Sequence, residues 1–254
     1  MKKLLILLIL MIASPVLAQQ CSEPVEVARM SPYFIGGSVP VSSSPPSYGG
    51  VADAFTDYTA DSATTAITLT NAIPAGSRIV VYLMWLSASQ VLNATPATDT
   101  GSNTYTKDKE VAFGDRHVVI LSAHATTGLS VGHTITIDWD NEAYTYRYAA
   151  VYYFLNCAAA GQPDQTCSNT TYATSVTCAA STSTANTMIA GFIYFLDAGT
   201  YAGNWTEREV GAGVPSDDVM VALDYQASSA ASQDPGGGWG GGAQSYGIVW
   251  VAYK

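Results

Sequence analysis

The residues best suited to chemistry in this sequence are tryptophans in predicted loops. Trp139 and Trp205 lie near the ends of predicted strands, and Trp239 lies inside the glycine-rich tract 236–242. An indole on a glycine tract has little local packing and is costly to order. Such a side chain either docks on its own sheet or stacks on a ligand, and an indole face suits a sugar ring. We predict Trp239, Trp205 and Trp139 as ligand-binding residues.

A second candidate is an acidic turn. Asp138, Asp140 and Glu142 lie close together where a predicted strand ends. Carboxylate oxygens are the ligands that Ca²⁺ prefers, so these three residues are the candidate ligands of a calcium ion, and no other cofactor is predicted. The pattern E-x-D-x-x-E, which places two acids on one face of a glycosidase groove, is absent from the sequence.

A serine pattern and two histidines have non-catalytic explanations. The segment 128–132 matches G-x-S-x-G, but a nucleophile elbow needs a helix after the serine, and a strand is predicted there. His117 and His124 are seven residues apart on one predicted strand, so they point to opposite faces and do not share a metal. We therefore predict no catalytic residues.

Four cysteines predict two disulfides in an exported protein. Three pairings are possible. The close spacing of Cys157, Cys167 and Cys178 favours one bridge within this group, with Cys21 bonded to the remaining member. We predict the pair Cys157–Cys167. A metal site is the alternative, although the histidines lie far from these cysteines in the sequence.

The first eighteen residues have the form of a signal peptide. Lys2 and Lys3 precede a short apolar run, and cleavage is predicted after Ala18. The run is too short for a permanent membrane anchor. Cleavage takes the net charge from −10 to −12, which excludes nucleic acid as a partner. The predicted location is secreted, periplasmic or on the cell surface.

The remaining sequence predicts an all-β fold. Residues 19–50 are rich in Ser, Pro and Gly and predict an extended N-terminal arm, whereas 51–254 predict a single β-sandwich domain. Segments 79–85 and 188–196 are apolar on both faces, so each predicts a central strand covered by a sheet on one face and by loops or the arm on the other. The predicted architecture is a two-sheet, jelly-roll-like sandwich of about eleven strands.

An internal similarity links two parts of this domain. Segment 65–69, followed after a linker by 79–85, is matched by 174–178 followed by 188–196. Two related halves are consistent with a jelly roll made from two Greek keys.

One stretch carries a resemblance. Asp99-Thr100-Gly101-Ser102-Asn103-Thr104-Tyr105-Thr106 is followed by an apolar strand, by Gly132-His133-Thr134-Ile135-Thr136-Ile137 and by a strand rich in Ala and Tyr. This order resembles the pattern D-x-x-G-N-T-Y … G-x-x-T-I-T-V of uncharacterised bacterial and phage-associated β-sandwich proteins with a concanavalin-like, lectin-like jelly roll. The resemblance covers about residues 64–200 and departs in Ser102 and in the four cysteines. In this motif Asp, Gly and Asn predict a turn, and Thr and Tyr open the next strand, so the resemblance implies a fold more than an activity.

These features predict a non-catalytic protein that acts outside the cell. The predicted partner is an extracellular glycan or another surface polymer, bound through the loop tryptophans. A structural or assembly subunit, whose arm or edge strand pairs with a neighbour, is the second class. A glycoside hydrolase or lyase is the third. No oligomeric state is predicted.

Overall fold

Strands form where the sequence alternates apolar and polar residues or runs apolar for a strand's length. The computed structural model describes residues 44–58, 60–87, 89–141, 144–182, 184–196, 201–214, 218–239 and 243–254. Eighteen strands and no helix occur among these residues. The described part of the chain thus contains no apolar helix of membrane-spanning length. The prediction of an all-β protein is confirmed.

The first nine strands make up the first half of the domain, residues 47–155. They are β1 (Ser47–Asp57), β2 (Ala60–Asp61), β3 (Thr64–Thr68), β4 (Arg78–Leu86), β5 (Leu92–Asp99), β6 (Tyr105–Phe113), β7 (Arg116–His124), β8 (Thr134–Trp139) and β9 (Tyr144–Leu155). The main sheet of this half has the order β1-β9-β4-β7-β6, with β2 added to β9, and a smaller sheet has the order β3-β8-β5. β1 begins inside the predicted arm; the predicted signal peptide and residues 19–43 lie outside the described residues.

The remaining nine strands make up the second half, residues 165–253. They are β10 (Gln165–Ala173), β11 (Ala180–Ser181), β12 (Thr187–Phe195), β13 (Tyr201–Ala202), β14 (Thr206–Val214), β15 (Asp218–Ala227), β16 (Ser232–Gln233), β17 (Gly238–Trp239) and β18 (Gln244–Tyr253). The main sheet of this half has the order β10-β18-β12-β15-β14, and two short ribbons are formed by β11 with β16 and by β13 with β17.

The two main sheets repeat one strand order. Numbered along the chain within each half, the five main-sheet strands lie in the order first, fifth, second, fourth, third in both halves. β4 and β12 are the second strands, and they contain the two apolar segments whose similarity is visible in the sequence. The structure therefore places 79–85 and 188–196 at equivalent positions of two halves with the same topology, whereas 65–69 lies largely in β3 and its counterpart 174–178 forms no strand.

The main sheets pack face to face around a shared central core. Val80, Tyr82 and Met84 on β4 face this core from one side, and Phe192 and Tyr194 on β12 face it from the other. Phe192 contacts Tyr82, with ring centroids 5.5 Å apart. Burial of such side chains supplies much of the driving force for association of the sheets.

Each main sheet also has an outer core on its far face. In the first half, Val81 and Leu83 pack beneath the smaller sheet, whose Ile135 and Ile137 point inward. In the second half, Ile193 and its neighbours are covered by loops and by the two ribbons. The fully buried strand β4 is thus covered by sheets on both faces, which corrects the prediction that loops or the arm cover one of them.

The disulfide confirms one part of the cysteine prediction and contradicts another. Cys167 is bonded to Cys178, so one bridge does lie within the group of three. The predicted pair Cys157–Cys167 is wrong, because Cys167 and Cys178 both pack at the outer core of the second half whereas Cys157 packs in the central core. Cys157 is buried without a disulfide partner among the described residues, and burial raises its thiol pKa to about 12. Cys21 lies outside the described residues.

Candidate functional site

Two of the three tryptophans predicted to bind ligand are buried. Trp139 is 2% exposed, donates its indole N–H to Thr65 Oγ1 at 3.0 Å and packs edge-on against Trp85. It follows the inward-pointing Ile135 and Ile137 in the alternation of β8, and this phase turns it into the core. Its predicted role in ligand binding is therefore corrected to core packing.

Trp205 is buried as well. It is 6% exposed, stacks on Tyr225 and packs edge-on against Trp250, with centroids 6.0 Å apart in both pairs. A Cβ at Gly191 would lie 2.9 Å from the Trp205 ring, so the glycine in this apolar strand makes room for the indole. Trp205 serves the second half as a cover for its outer core and presents no face to a ligand.

The third tryptophan keeps its predicted role as a proposal. The backbone of Trp239 pairs with Tyr201 in the ribbon of β13 and β17, so the glycine tract is joined to β13 at this point. The side chain of Trp239 lies outside the described part of the chain.

In the acidic turn, Asp140 accepts two hydrogen bonds. Asp140 accepts the backbone N–H of Val91 at 2.9 Å and the side-chain amide of Asn141 at 3.0 Å, while Asp138 lies opposite Thr64 in the β3–β8 pair. Glu142 is outside the described residues. Within the described ranges no group of three His, Cys, Asp or Glu side chains is placed to hold a metal ion. The predicted calcium ligands remain a prediction without support from the geometry.

The serine pattern and the histidines behave as the sequence predicts. Ser130 is exposed in the turn between β7 and β8, and a strand follows it, not a helix. His117 and His124 lie on the same strand, β7, and point to opposite faces. His117 stacks on Trp85 at 4.4 Å and bonds Glu110 through Nδ1 at 2.8 Å, which leaves it a structural residue.

The segment 99–106 is a rigid turn. One carboxylate oxygen of Asp99 accepts the N–H groups of Gly101 and Asn103, and the other accepts Asn103 Nδ2 and the Tyr105 hydroxyl, at 2.8–3.0 Å. These bonds hold Ser102 in the left-handed conformation, with φ 59°. Asn103 Oδ1 in turn accepts the hydroxyl of Thr126 at 3.0 Å. The motif therefore fixes the β5–β6 connection against the β7–β8 connection.

This turn forms one wall of a cleft of about 370 Å³. The cleft, which we call the hydroxyl cleft, lies where β4, β6 and β7 meet at one end of the first half, beside the loop 159–162. Cross-strand pairs of this region are Arg78 opposite His124 and Thr106 opposite Ser122. Five hydroxyl side chains line the cleft: Ser102, Thr104, Thr106, Ser122 and Thr126.

Arg78 is the cation of this cleft. The residue is 5% exposed, and its Nη2 donates to the carbonyls of Ala158 at 2.8 Å and Ala159 at 3.3 Å. Its guanidinium also lies over the ring of Tyr253, 5.6 Å from the centroid. No carboxylate among the described residues pairs with it. A buried charge without an ion partner is unfavourable by several kcal/mol.

Two nitrogens of Arg78 lack a partner among the described residues. Nε is enclosed by the protein and makes no hydrogen bond. Nη1 makes none there either and is not enclosed, and Arg78 is one of the residues that line the cleft. The guanidinium is thus held in place through Nη2 and offers two N–H donors from Nη1 to a molecule in the cleft.

His124 borders Arg78 and adds a second polar group. Its Nδ1 is buried and has no partner among the described residues. Burial, together with the neighbouring Arg78 charge, lowers the pKa of His124. The ring is therefore neutral at neutral pH. No Asp or Glu lines the hydroxyl cleft, so its described residues do not provide the carboxylate pair of a glycosidase. The arrangement is suited to binding a polar molecule.

A larger cleft of about 630 Å³ lies beside Cys157. It is bounded by Ser44 and Pro45, and its one charged lining residue is Lys254. The Lys254 amine lies 3.7 Å from the Asp164 carboxylate, so this charge has a partner. The larger cleft lacks the unpaired buried cation that distinguishes the hydroxyl cleft.

The sequence did contain a signal for Arg78. An arginine opens the apolar run of β4, which is buried along almost its whole length, and a charge in such a strand needs a partner or a function. The segment 99–106 was correctly interpreted as a turn, but its position next to Arg78 depends on the pairing of β4, β6 and β7, which the sequence does not specify.

Comparison of the chain with protein-family models, with curated proteins and with solved structures finds no significant match.

Proposed function

We propose that this chain is an exported, non-catalytic β-sandwich protein that recognises a glycan or another extracellular surface polymer. The observation that carries the proposal is the hydroxyl cleft, which is lined by five hydroxyl side chains and by a fixed guanidinium. Hydroxyls donate and accept hydrogen bonds, and sugars present the same kind of group in return. Export is supported by the predicted leader and by the Cys167–Cys178 disulfide, which needs an oxidising compartment.

A jelly-roll-like fold is part of this proposal. The first half divides eight of its strands between a main sheet of five and a smaller sheet of three, and eight strands in two sheets is the jelly-roll number. The second half repeats the main sheet. We therefore propose two stacked jelly-roll-like halves in place of the single one predicted from the sequence.

The experiment compares two double variants for binding to a panel of immobilised polysaccharides. Ser102→Ala with Thr104→Val removes two cleft hydroxyls. Thr64→Val with Thr68→Val removes two exposed hydroxyls of β3, on the opposite sheet, and is the matched control. Two lost hydrogen bonds weaken binding about tenfold. We expect this loss in the cleft variant and wild-type binding in the control.

Two results would contradict the proposal: a cleft variant that binds as well as wild type, or a wild-type chain that retains no polysaccharide of the panel. The role of Trp239 is tested separately. Trp239→Ala weakens binding if the indole stacks on the same ligand, and unchanged binding would remove this residue from the proposal while leaving the cleft.

A further inference from the structure

We propose that the hydroxyl cleft binds the anionic group of an acidic sugar, a carboxylate or a sulfate ester, through Arg78. This inference rests on the proposed function and adds the chemical class of the ligand. It begins from the guanidinium, which is buried, fixed by the carbonyls of Ala158 and Ala159 and without an anionic partner among the described residues.

The surroundings of Arg78 favour an anion from outside. The two carbonyls orient the guanidinium but do not neutralise it, and the Tyr253 ring beneath it carries no net negative charge. The Tyr253 hydroxyl donates to Asp108 Oδ2 at 2.7 Å, and Thr106 donates to Oδ1 at 2.8 Å, so the nearby carboxylate is already engaged by hydroxyl donors. The open Nη1 of Arg78 is left for a charge-assisted hydrogen bond.

The cleft has polar groups for the anionic group of an acidic sugar and for its ring hydroxyls. An anionic oxygen placed at Nη1 has His124 beside it, and the ring hydroxyls of the sugar face the hydroxyls of Ser102, Thr104 and Thr126. The charged group next to His124 is Arg78, which lies opposite it on β4. The described lining of the cleft contains no negatively charged side chain. A bound anion therefore adds the missing negative charge and raises the pKa of His124.

Specific recognition here differs from nonspecific attraction. The chain carries a net charge of −10, so an acidic polymer is repelled at long range. Salt screens that repulsion, whereas a buried contact at Arg78 is screened much less. The affinity for an acidic sugar should hence stay level or rise with salt, opposite to the behaviour of a basic surface patch.

The test uses calorimetry with glucuronate, a sulfated glucose and glucose, and with a polyuronate oligosaccharide and its carboxyl-reduced neutral form. Arg78→Met is compared with the control Arg116→Met. Arg116 begins β7, whereas His124, the partner of Arg78, ends that strand. We expect the anionic probes to bind wild type at least about tenfold more tightly than their neutral forms. Arg78→Met should abolish this preference, and Arg116→Met should keep it. The carboxylate and sulfate arms show which anion is preferred.

A second measurement needs no variant, in case Arg78→Met does not fold. The His124 ring is titrated by NMR in the wild-type chain with and without each monosaccharide. Its pKa should rise with the anionic sugar and not with glucose. An unchanged His124 pKa with bound glucuronate and bound sulfated glucose would overturn the inference.

The two proposals fail in different ways. Acidic and neutral oligosaccharides could bind equally well, with binding lost in the Ser102→Ala/Thr104→Val variant. This result would contradict the anion site and leave glycan recognition in place. Binding of glucuronate or sulfated glucose through Arg78, without binding of any polysaccharide, keeps the anion site and contradicts glycan recognition. A preference for anions that falls steeply with salt and survives Arg78→Met contradicts the inference.

Discussion

The two halves of this chain share one main-sheet order but cover their outer faces differently. In the first half, the three-stranded sheet supplies alternating inward residues such as Ile135 and Ile137. In the second half, two ribbons of two-residue strands replace that sheet, and Trp205 and the Cys167–Cys178 bridge lie over the outer core. A sandwich face can thus be closed by regular alternation, or by one large aromatic and a cross-link where alternation is missing.

The halves also differ at one polar position. Arg78 on β4 lies opposite Phe154 of β9, and at the equivalent place Met188 on β12 lies opposite Tyr253 of β18. Met188 is fully within the central core, whereas Arg78 borders the hydroxyl cleft. The same topology therefore produces an apolar contact in one half and a candidate binding site in the other.

The largest expected effect tests whether the halves are one cooperative unit. Phe192→Ala removes a side chain that packs on Phe55 and Tyr82 across the central core, with centroids 5.5 Å apart in both pairs. We expect the free energy of unfolding to fall by about 3–5 kcal/mol, because the cavity lies between both main sheets. Denaturant unfolding followed by fluorescence and circular dichroism measures it. Tyr172→Ala, at a side chain 70% exposed, is the control and should change little.

A single unfolding transition by both probes is expected for wild type. Two separate transitions, with Phe192→Ala affecting only one, would show that the halves fold independently and would contradict a shared core.

The next effect concerns the Cys167–Cys178 disulfide, which lies over the outer core of the second half. Replacing Cys167 and Cys178 by serine opens a loop with a sequence separation of 11 residues. The entropy of the unfolded chain then increases, and the free energy of unfolding should fall by about 3 kcal/mol. Thermal and denaturant unfolding measure the change. A reducing agent should reproduce it in wild type and leave the double variant unaffected, and a loss below about 0.5 kcal/mol would mean that Trp205 and the ribbons suffice.

A smaller effect depends on pH in the first half. The pKa of Glu110 is lowered, mainly by its hydrogen bond with His117, with Lys107 also contributing. A carboxyl whose pKa is lower in the folded chain stabilises the fold above its unfolded pKa and loses this contribution as pH falls. Glu110→Gln should therefore reduce the free energy of unfolding by about 1 kcal/mol at neutral pH and by less at about pH 3. Equal losses at both pH values would contradict the assignment.

The smallest effect has the opposite sign. Burial raises the pKa of Asp53, although a hydrogen bond from Tyr58 partly offsets it. A carboxyl with a raised folded pKa loses stabilisation as pH rises through that pKa. Asp53→Asn keeps an acceptor for Tyr58. The free energy of unfolding of the variant should therefore equal that of wild type, or exceed it by up to about 1 kcal/mol, at neutral pH, and the two should be equal at about pH 3. Denaturant unfolding at both pH values measures this difference. A variant that is less stable than wild type only at neutral pH would refute the expected effect of burying Asp53.

Part of the fold and little of the site could be predicted from the sequence. The strands around 79–85 and 188–196 were predicted because unbroken apolar runs bury both faces, and the turn at 99–106 because Asp, Gly and Asn bond their own backbone. Trp139 and Trp205 were misassigned, because sequence position near a strand end does not reveal side-chain direction. For Trp139 the phase of β8 set that direction, and for Trp205 the space above Gly191 did.

By itself, the sequence determined an all-β chain, the similarity of two segments and the opposite orientation of His117 and His124, since each follows from local periodicity. Tertiary structure alone decided that the similar segments belong to two stacked halves, that Cys167 bonds Cys178, and that Arg78 and His124 meet a row of hydroxyls in one cleft. These facts depend on which distant strands pair and in what register. Such pairing is set by the packing of whole sheets, which no short segment contains.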